Sequence, residues 1–164
     1  MGTHNHAGKD IFYEESMRIP MIISWPEKIQ PRKDEHLMIA FADLYPSLLS
    51  VMGFRKEIPG TVQTFDLSRE ILGESRREVI QPYYFVQFDN HAIGYRGLRT
   101  ATHTFVVHAQ NGIIDETVLF DRTKDPYQIN NIAEHSPKLV RQFREQLKKW
   151  LHHTHDSFAN YLTP

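Results

Sequence analysis

Cysteine is absent from the chain. That excludes disulfides, thiolate zinc sites and cysteine nucleophiles, and it leaves the compartment open, because exported proteins also dispense with the residue. No apolar run approaches the roughly 18 residues that a membrane span needs, so a membrane is not an expected partner. Neither sign of charge is in excess: 19 Lys and Arg stand against 20 Asp and Glu, a net charge of -1. Without a basic field, nucleic acid is not an expected partner either. What remains is ordinary globular composition, 40% hydrophobic and 24% charged over 164 residues. That is enough for one compact unit with a real core, built from two subregions.

The order of elements follows from apolar spacing and turn residues. The run Pro20-Met21-Ile22-Ile23-Ser24-Trp25-Pro26 is short, apolar and bracketed by prolines, which predicts a buried strand. From Asp43 to Gly53 an acidic cap, a proline in the first turn, helically spaced apolar residues and a closing glycine predict a helix. Leu67 to Leu72, closed by Gly73, is a shorter one. Charged residues from Glu74 to Glu78 mark a seam. Beyond it, 79–88, 95–100, 104–108 and 117–120 are rich in β-branched and aromatic residues and separated by turn signals, predicting an antiparallel meander of about four strands. Ser136-Pro137 then opens a helix whose Leu139, Val140, Phe143, Leu147, Trp150 and Leu151 share one stripe that covers the sheet. The expected fold class is therefore α+β.

Several residue groups are candidate sites. His152 and His153 diverge by about 100° on a helix and suit its negative C-terminal end better than a metal, and His155 goes with them. Lys138, Arg141, Arg144, Lys148 and Lys149 offer an anion-binding run, but they lie opposite the apolar stripe with Glu145 among them, which makes a solvated face the simpler reading. Asp125-Pro126 reads as turn structure. Ser24 has no histidine or acid at a diagnostic spacing and is not expected to be a nucleophile. The opening stretch "MGTHNHAGKD" is different. Gly2 and Gly8 allow close backbone approach, His4 can hold or give a proton, and Lys9 is a point charge suited to a tetrahedral anion.

In order along the chain, "MGTHNHAGKDIFYEESMRIPMIISWP", "FADLYPSLLSVMGF", "YRGLRT" and "LFDRTKDPYQINNIAEHSP" resemble the C-terminal portion of the sulfatases, formylglycine-dependent enzymes of the alkaline-phosphatase-like superfamily. The resemblance implies that residues 1–73 form the tail of a large α/β catalytic domain and 74–164 a small C-terminal subdomain. It implies that Lys9 contacts sulfate and that His4 lines the substrate pocket, with His91 and Arg96 approaching the carbohydrate or aryl part of a sulfated substrate. His6 stands where the family often has an apolar residue.

The departures are as informative. The family's nucleophile sits in a Cys/Ser-x-Pro-x-Arg motif that this sequence lacks, and "SWPEK" is no substitute. The calcium-binding acidic pairs are also missing, so this chain is expected to carry no cofactor of its own; calcium and formylglycine are implied for the intact enzyme. The resulting expectation is a C-terminal piece of a sulfatase, inactive alone, whose partner is the missing N-terminal half. A periplasmic or extracellular location would suit that intact enzyme. Two rival readings stand beside it. One is a non-catalytic module binding sulfated glycan in a pocket of Lys9, Arg96 and Arg99. The other is an assembly piece, open to self-association through the surface of the unpaired strand at Met21 to Trp25.

Overall fold

The computed structural model describes residues 3–5, 8, 10–35, 37–76, 81–86 and 93–162. In chain order its elements are α1 (Glu14–Met17), α2 (Leu44–Val51), α3 (Ser68–Leu72), β1 (Gln81–Val86), β2 (Gly94–Arg99), β3 (His103–Gln110), β4 (Ile113–Asp121) and α4 (Pro137–His153), with 3-10 turns before α1, on either side of α2 and after α4. The chain packs as two compact units: Met1–Ile19 with Pro82–Pro164, and Pro20–Gln81. The opening residues thus belong with the sheet. Packing divides the chain near residues 19 and 81, whereas the family resemblance drew one boundary near residue 73.

The first unit is an α+β arrangement around a sheet of order β1-β2-β3-β4. β2 pairs antiparallel with β3, Tyr95 opposite His108 and Arg99 opposite Thr104. β3 pairs antiparallel with β4, Thr104 opposite Phe120 and Val106 opposite Val118, with one irregularity at His108/Ala109. The β3–β4 turn is Asn111-Gly112, both at positive φ (53 and 78), the left-handed pair that a tight hairpin requires. Gly97 has a different reason to be glycine. A Cβ there would lie 2.5 Å from the Phe105 carbonyl oxygen, so the two strands approach closely only without a side chain.

Because strand side chains alternate, this sheet is buried on both faces. One face presents Val106, Val118 and Phe120 to Ile11 and Phe12, with Tyr13, Met17 and Tyr95 packed around them. On the other, Phe105 stacks on Phe143 of α4 at 5.8 Å. Phe143, Leu147 and Leu151 are the buried stripe of that helix, as its apolar spacing predicts. The helix covers one face only; the opening segment covers the other, a role its sequence did not announce. Ser136 stands at the N-cap, but its side chain makes no cap bond and Pro137 alone starts the turn.

In the second unit, α2 forms as expected, although Asp43 does not cap it in the usual way. Its carboxylate instead accepts the backbone N–H groups of Ala40 (2.9 Å) and Phe65 (3.0 Å), pinning a distant loop against the helix start. Gly53 and Gly73, at φ 92 and 82, close α2 and α3. The N–H of Phe54 returns to Leu49 and that of Glu74 to Arg69, the reversed bonds of a left-handed C-terminal stop. The buried strand expected at residues 20–26 is not there. Residues 18–25 lie outside any helix or strand, Met21 is exposed and Ile22 is 94% exposed. A strand needs a hydrogen-bonded neighbour, and among the described residues of this unit no other strand offers one. No helix among the described residues is long and apolar enough to cross a membrane.

Candidate functional site

The opening segment reaches the sheet through Glu14. Its carboxylate takes both ends of the Arg99 guanidinium, Nε at 2.7 Å and Nη2 at 2.8 Å, and Arg122 Nη1 lies 3.8 Å away. Its backbone N–H donates to Gln128 Oε1 at 2.7 Å, and Arg122 in turn donates to the Thr100 carbonyl. Burial pushes the Glu14 carboxyl up, but the Arg99 hydrogen bonds and the charges of Arg99, Arg122 and Arg18 outweigh it and hold the group below its ordinary value. One carboxylate therefore fixes the short α1 turn to β2 and to the loop after β4.

That anchorage presents the residues on either side of Glu14. Tyr13 stacks flat on the His4 ring, centroids 3.6 Å apart and planes 2° from parallel. His4 and Asn5 both sit at positive φ (56 and 59), a conformation that side-chain-bearing residues adopt at a cost. His4 Nε2 is buried and has no hydrogen-bond partner among the described residues; the Glu15 carboxylate stands 3.7 Å off. Across the same face of the sheet, the Tyr95 hydroxyl lies 3.3 Å from Glu116 Oε2 and the His108 Nδ1 lies 2.6 Å from Asp115 Oδ1. Burial, then the Glu116 carboxylate, pushes the Tyr95 hydroxyl up to about 12, so it stays protonated at neutral pH. Tyr13 is raised as well, by burial and by Glu116 and Glu15.

Of the four residues singled out in the sequence, the two that the structure describes, His4 and Arg96, are not brought together. Lys9 and His91 lie outside the described residues. His4 is on the opening-segment face of the sheet. Arg96 points to the opposite face, where it is 1% exposed. Its Nε meets Asp156 Oδ2 at 2.7 Å, and its guanidinium carbon lies 4.9 Å from the Phe158 ring centroid. Arg96 thus ties β2 to the turn after α4, on the face of the sheet away from His4. The proposed grouping of Arg96 with Arg99 fails for the same reason: three positions apart on a strand, they face opposite ways. Glu14 escaped sequence reasoning as a site-forming residue because its partners Arg99, Arg122 and Gln128 lie 85 or more positions away. Among the described residues, no three His, Asp or Glu side chains gather into a metal-ligating group.

Comparison with known proteins places this geometry. The model of the N-sulphoglucosamine sulphohydrolase C-terminal family matches residues 2–156. The endo-4-O-sulfatase of Bacteroides thetaiotaomicron is 28% identical over 151 residues, 82% of this chain and 29% of that protein. The N-acetylglucosamine-6-O-sulfatase of the same organism is 28% identical over 160 residues, 91% of this chain and 28% of its own length. Among solved structures, a Bacteroides fragilis protein, yidJ, provisionally described as a sulfatase, superposes with TM-score 0.96 at 64% identity, covering all of this chain and 36% of that one. The chain belongs to the N-sulphoglucosamine sulphohydrolase C-terminal family, and it spans somewhat under a third of the length of the curated sulfatases it matches.

Proposed function

We propose that these 164 residues are the C-terminal part of a sulfatase whose intact form hydrolyses sulfate esters of a carbohydrate, and that alone they are inactive. In this reading Lys9 binds the sulfate and His4 faces the same group or the departing oxygen. The observation that carries it is the state of His4: a buried ring nitrogen with no hydrogen-bond partner among the described residues, 3.7 Å from the Glu15 carboxylate, in a left-handed turn and stacked on Tyr13. A buried polar atom without a partner costs about 1–3 kcal/mol, and together with local backbone strain it is the signature of a residue held for a ligand. The names of the sulfated-sugar enzymes at 28% identity support the substrate class.

The residues present do not fit the family's calcium and formylglycine. The sequence has neither cysteine nor a Ser-x-Pro-x-Arg motif, and the described Glu14 and Asp156 carboxylates are engaged by arginine. Nucleophile and metal site are therefore assigned to polypeptide outside this chain. Its docking surface is the outer face of α2. Phe41, Tyr45, Leu48 and Met52 recur at spacings of four, three and four, and all are exposed, Phe41 by 88%. Pro46, Ser47 and Val51 face inward. A helix apolar on both sides is one that packs between two layers. The test is sulfate release from sulfated N-acetylglucosamine and from an aryl sulfate by the 164-residue chain with calcium added. None is expected, and turnover above the uncatalysed rate would overturn the reading.

A further inference from the structure

The long terminal helix separates charge as sharply as it separates polarity. α4 carries Lys138, Arg141, Arg144, Lys148 and Lys149 against a single acid, Glu145. Taking those five and that one from 19 and 20 leaves 14 cations against 19 carboxylates, so the helix is +4 on a chain that is otherwise -5. At 100° per residue, Lys138, Arg141, Lys148, Lys149 and His152 fall within an arc of about 100°, with Glu145 as the one acid inside it. Lys138, Arg141, Lys149 and His152 are exposed. None of the four cations, Lys138, Arg141, Lys148 and Lys149, is held by a carboxylate of the chain among the described residues. The opposite stripe, Phe143, Leu147 and Leu151, is buried, so the helix cannot turn its charge inward. From Lys138 to Lys149 the stripe runs about 17 Å, longer than one sugar ring.

Solvation alone does not call for such segregation. A solvated face is served equally by mixed charge, and helices commonly intersperse Glu with Lys at i and i+4 for stability. Here Glu145, four residues from both Arg141 and Lys149, is the single acid set against five cations, in a protein whose remaining sequence is net acidic. A local cationic stripe on an acidic body binds an extended polyanion along one line and repels it elsewhere.

We propose that the exposed face of α4 is a secondary binding surface for a sulfated polysaccharide, separate from the hydrolytic site, which holds the polymer while one sulfate is presented for cleavage. This rests on the reading of the intact protein as a sulfatase of carbohydrates. Its test addresses the 164-residue chain alone, however, and measures binding without hydrolysis, so either can fail without the other. Binding of about four cations releases counterions, so log K should fall with log salt at a slope on the order of -3.

The experiment measures binding of the 164-residue chain to heparin and to chemically desulfated heparin by fluorescence anisotropy over a salt series. Arg141→Glu/Lys149→Glu and, as control, Lys56→Glu on the second unit are run in parallel, with circular dichroism checking that each variant is folded. Expected are binding to heparin only, a loss of about tenfold or more in the double variant with a shallower salt slope, and no change for Lys56→Glu. Equal binding of desulfated polymer, an unaltered affinity in the folded double variant, or no heparin binding at low salt would overturn the proposal. Tighter binding to duplex DNA than to heparin at matched salt would overturn the choice of ligand.

Discussion

Replacing Glu14 by alanine strips the Arg99 guanidinium of its two charge-assisted hydrogen bonds and leaves Arg122 facing it across the gap. Removing one partner of a buried ion pair costs about 3–5 kcal/mol, because the other charge stays buried. The two side chains here are 13% and 18% exposed, so water relieves part of that, and about 2–4 kcal/mol is the appropriate figure. For a unit of this size each kcal/mol lowers Tm by roughly 3–5 °C, giving a fall on the order of 10 °C. Denaturant unfolding at pH 7 gives the same quantity directly. Arg99→Met placed on Glu14→Ala should restore part of the loss by removing the stranded charge. The pH dependence supplies a second arm. The folded carboxyl titrates below the 4.5 of the free group, so its contribution is complete above that pH and is lost as pH falls further, through the folded value. The gap between wild type and Glu14→Ala should therefore close on acidification below about pH 4.5. A loss under 1 kcal/mol at pH 7, a strictly additive double variant, or a gap that widens in acid would refute the assignment of Glu14 as anchor.

Two further outcomes follow from the same physics. Asp156→Ala removes the carboxylate partner of a buried arginine together with the acceptor for the Phe158 N–H (2.9 Å). It should destabilise by about 3–5 kcal/mol in urea unfolding, and Arg96→Met should recover part of it by keeping the contact with Phe158. Phe41→Ser/Leu48→Ser on the outer face of α2 should lower binding of a hydrophobic dye and reduce self-association in sedimentation, while changing stability by under about 1 kcal/mol, because neither side chain is in the core; a large stability loss would place that face inside the fold.

What the sequence disclosed depended on how local the physics was. α4 was legible because its stripe repeats within one element, and α2 because it ends on Gly53. The Asn111-Gly112 hairpin was legible because few other residues adopt its conformation. β4 was expected only from Thr117; its first half, Ile113-Ile114-Asp115-Glu116, is largely exposed and lacks the apolar/polar alternation of a half-buried strand, so pairing with β3 makes it one. The segment at residues 20–26 misled for the opposite reason: a strand-like composition is permission to pair, and pairing needs a neighbour. His4 was singled out by its glycine-bounded loop and then by the family resemblance. Arg96 was drawn toward it by the family resemblance, yet strand alternation turns the side chain to the other face. Glu14 sat in the quoted motif, but its role appears only when β2 and the loop after β4 close around it.

The central claim is tested most directly by grafting residues 1–164 into the Bacteroides fragilis relative in place of the 36% they match, and measuring sulfate release from a panel of sulfated sugars. The account expects the graft to turn over the same ester as its parent, and Lys9→Ala and His4→Ala each to lower kcat/KM by about a hundredfold or more, the scale for losing a group that stabilises charge in the transition state. A folded graft that is inert where the parent is active, or one that keeps full activity with both residues replaced, would contradict it.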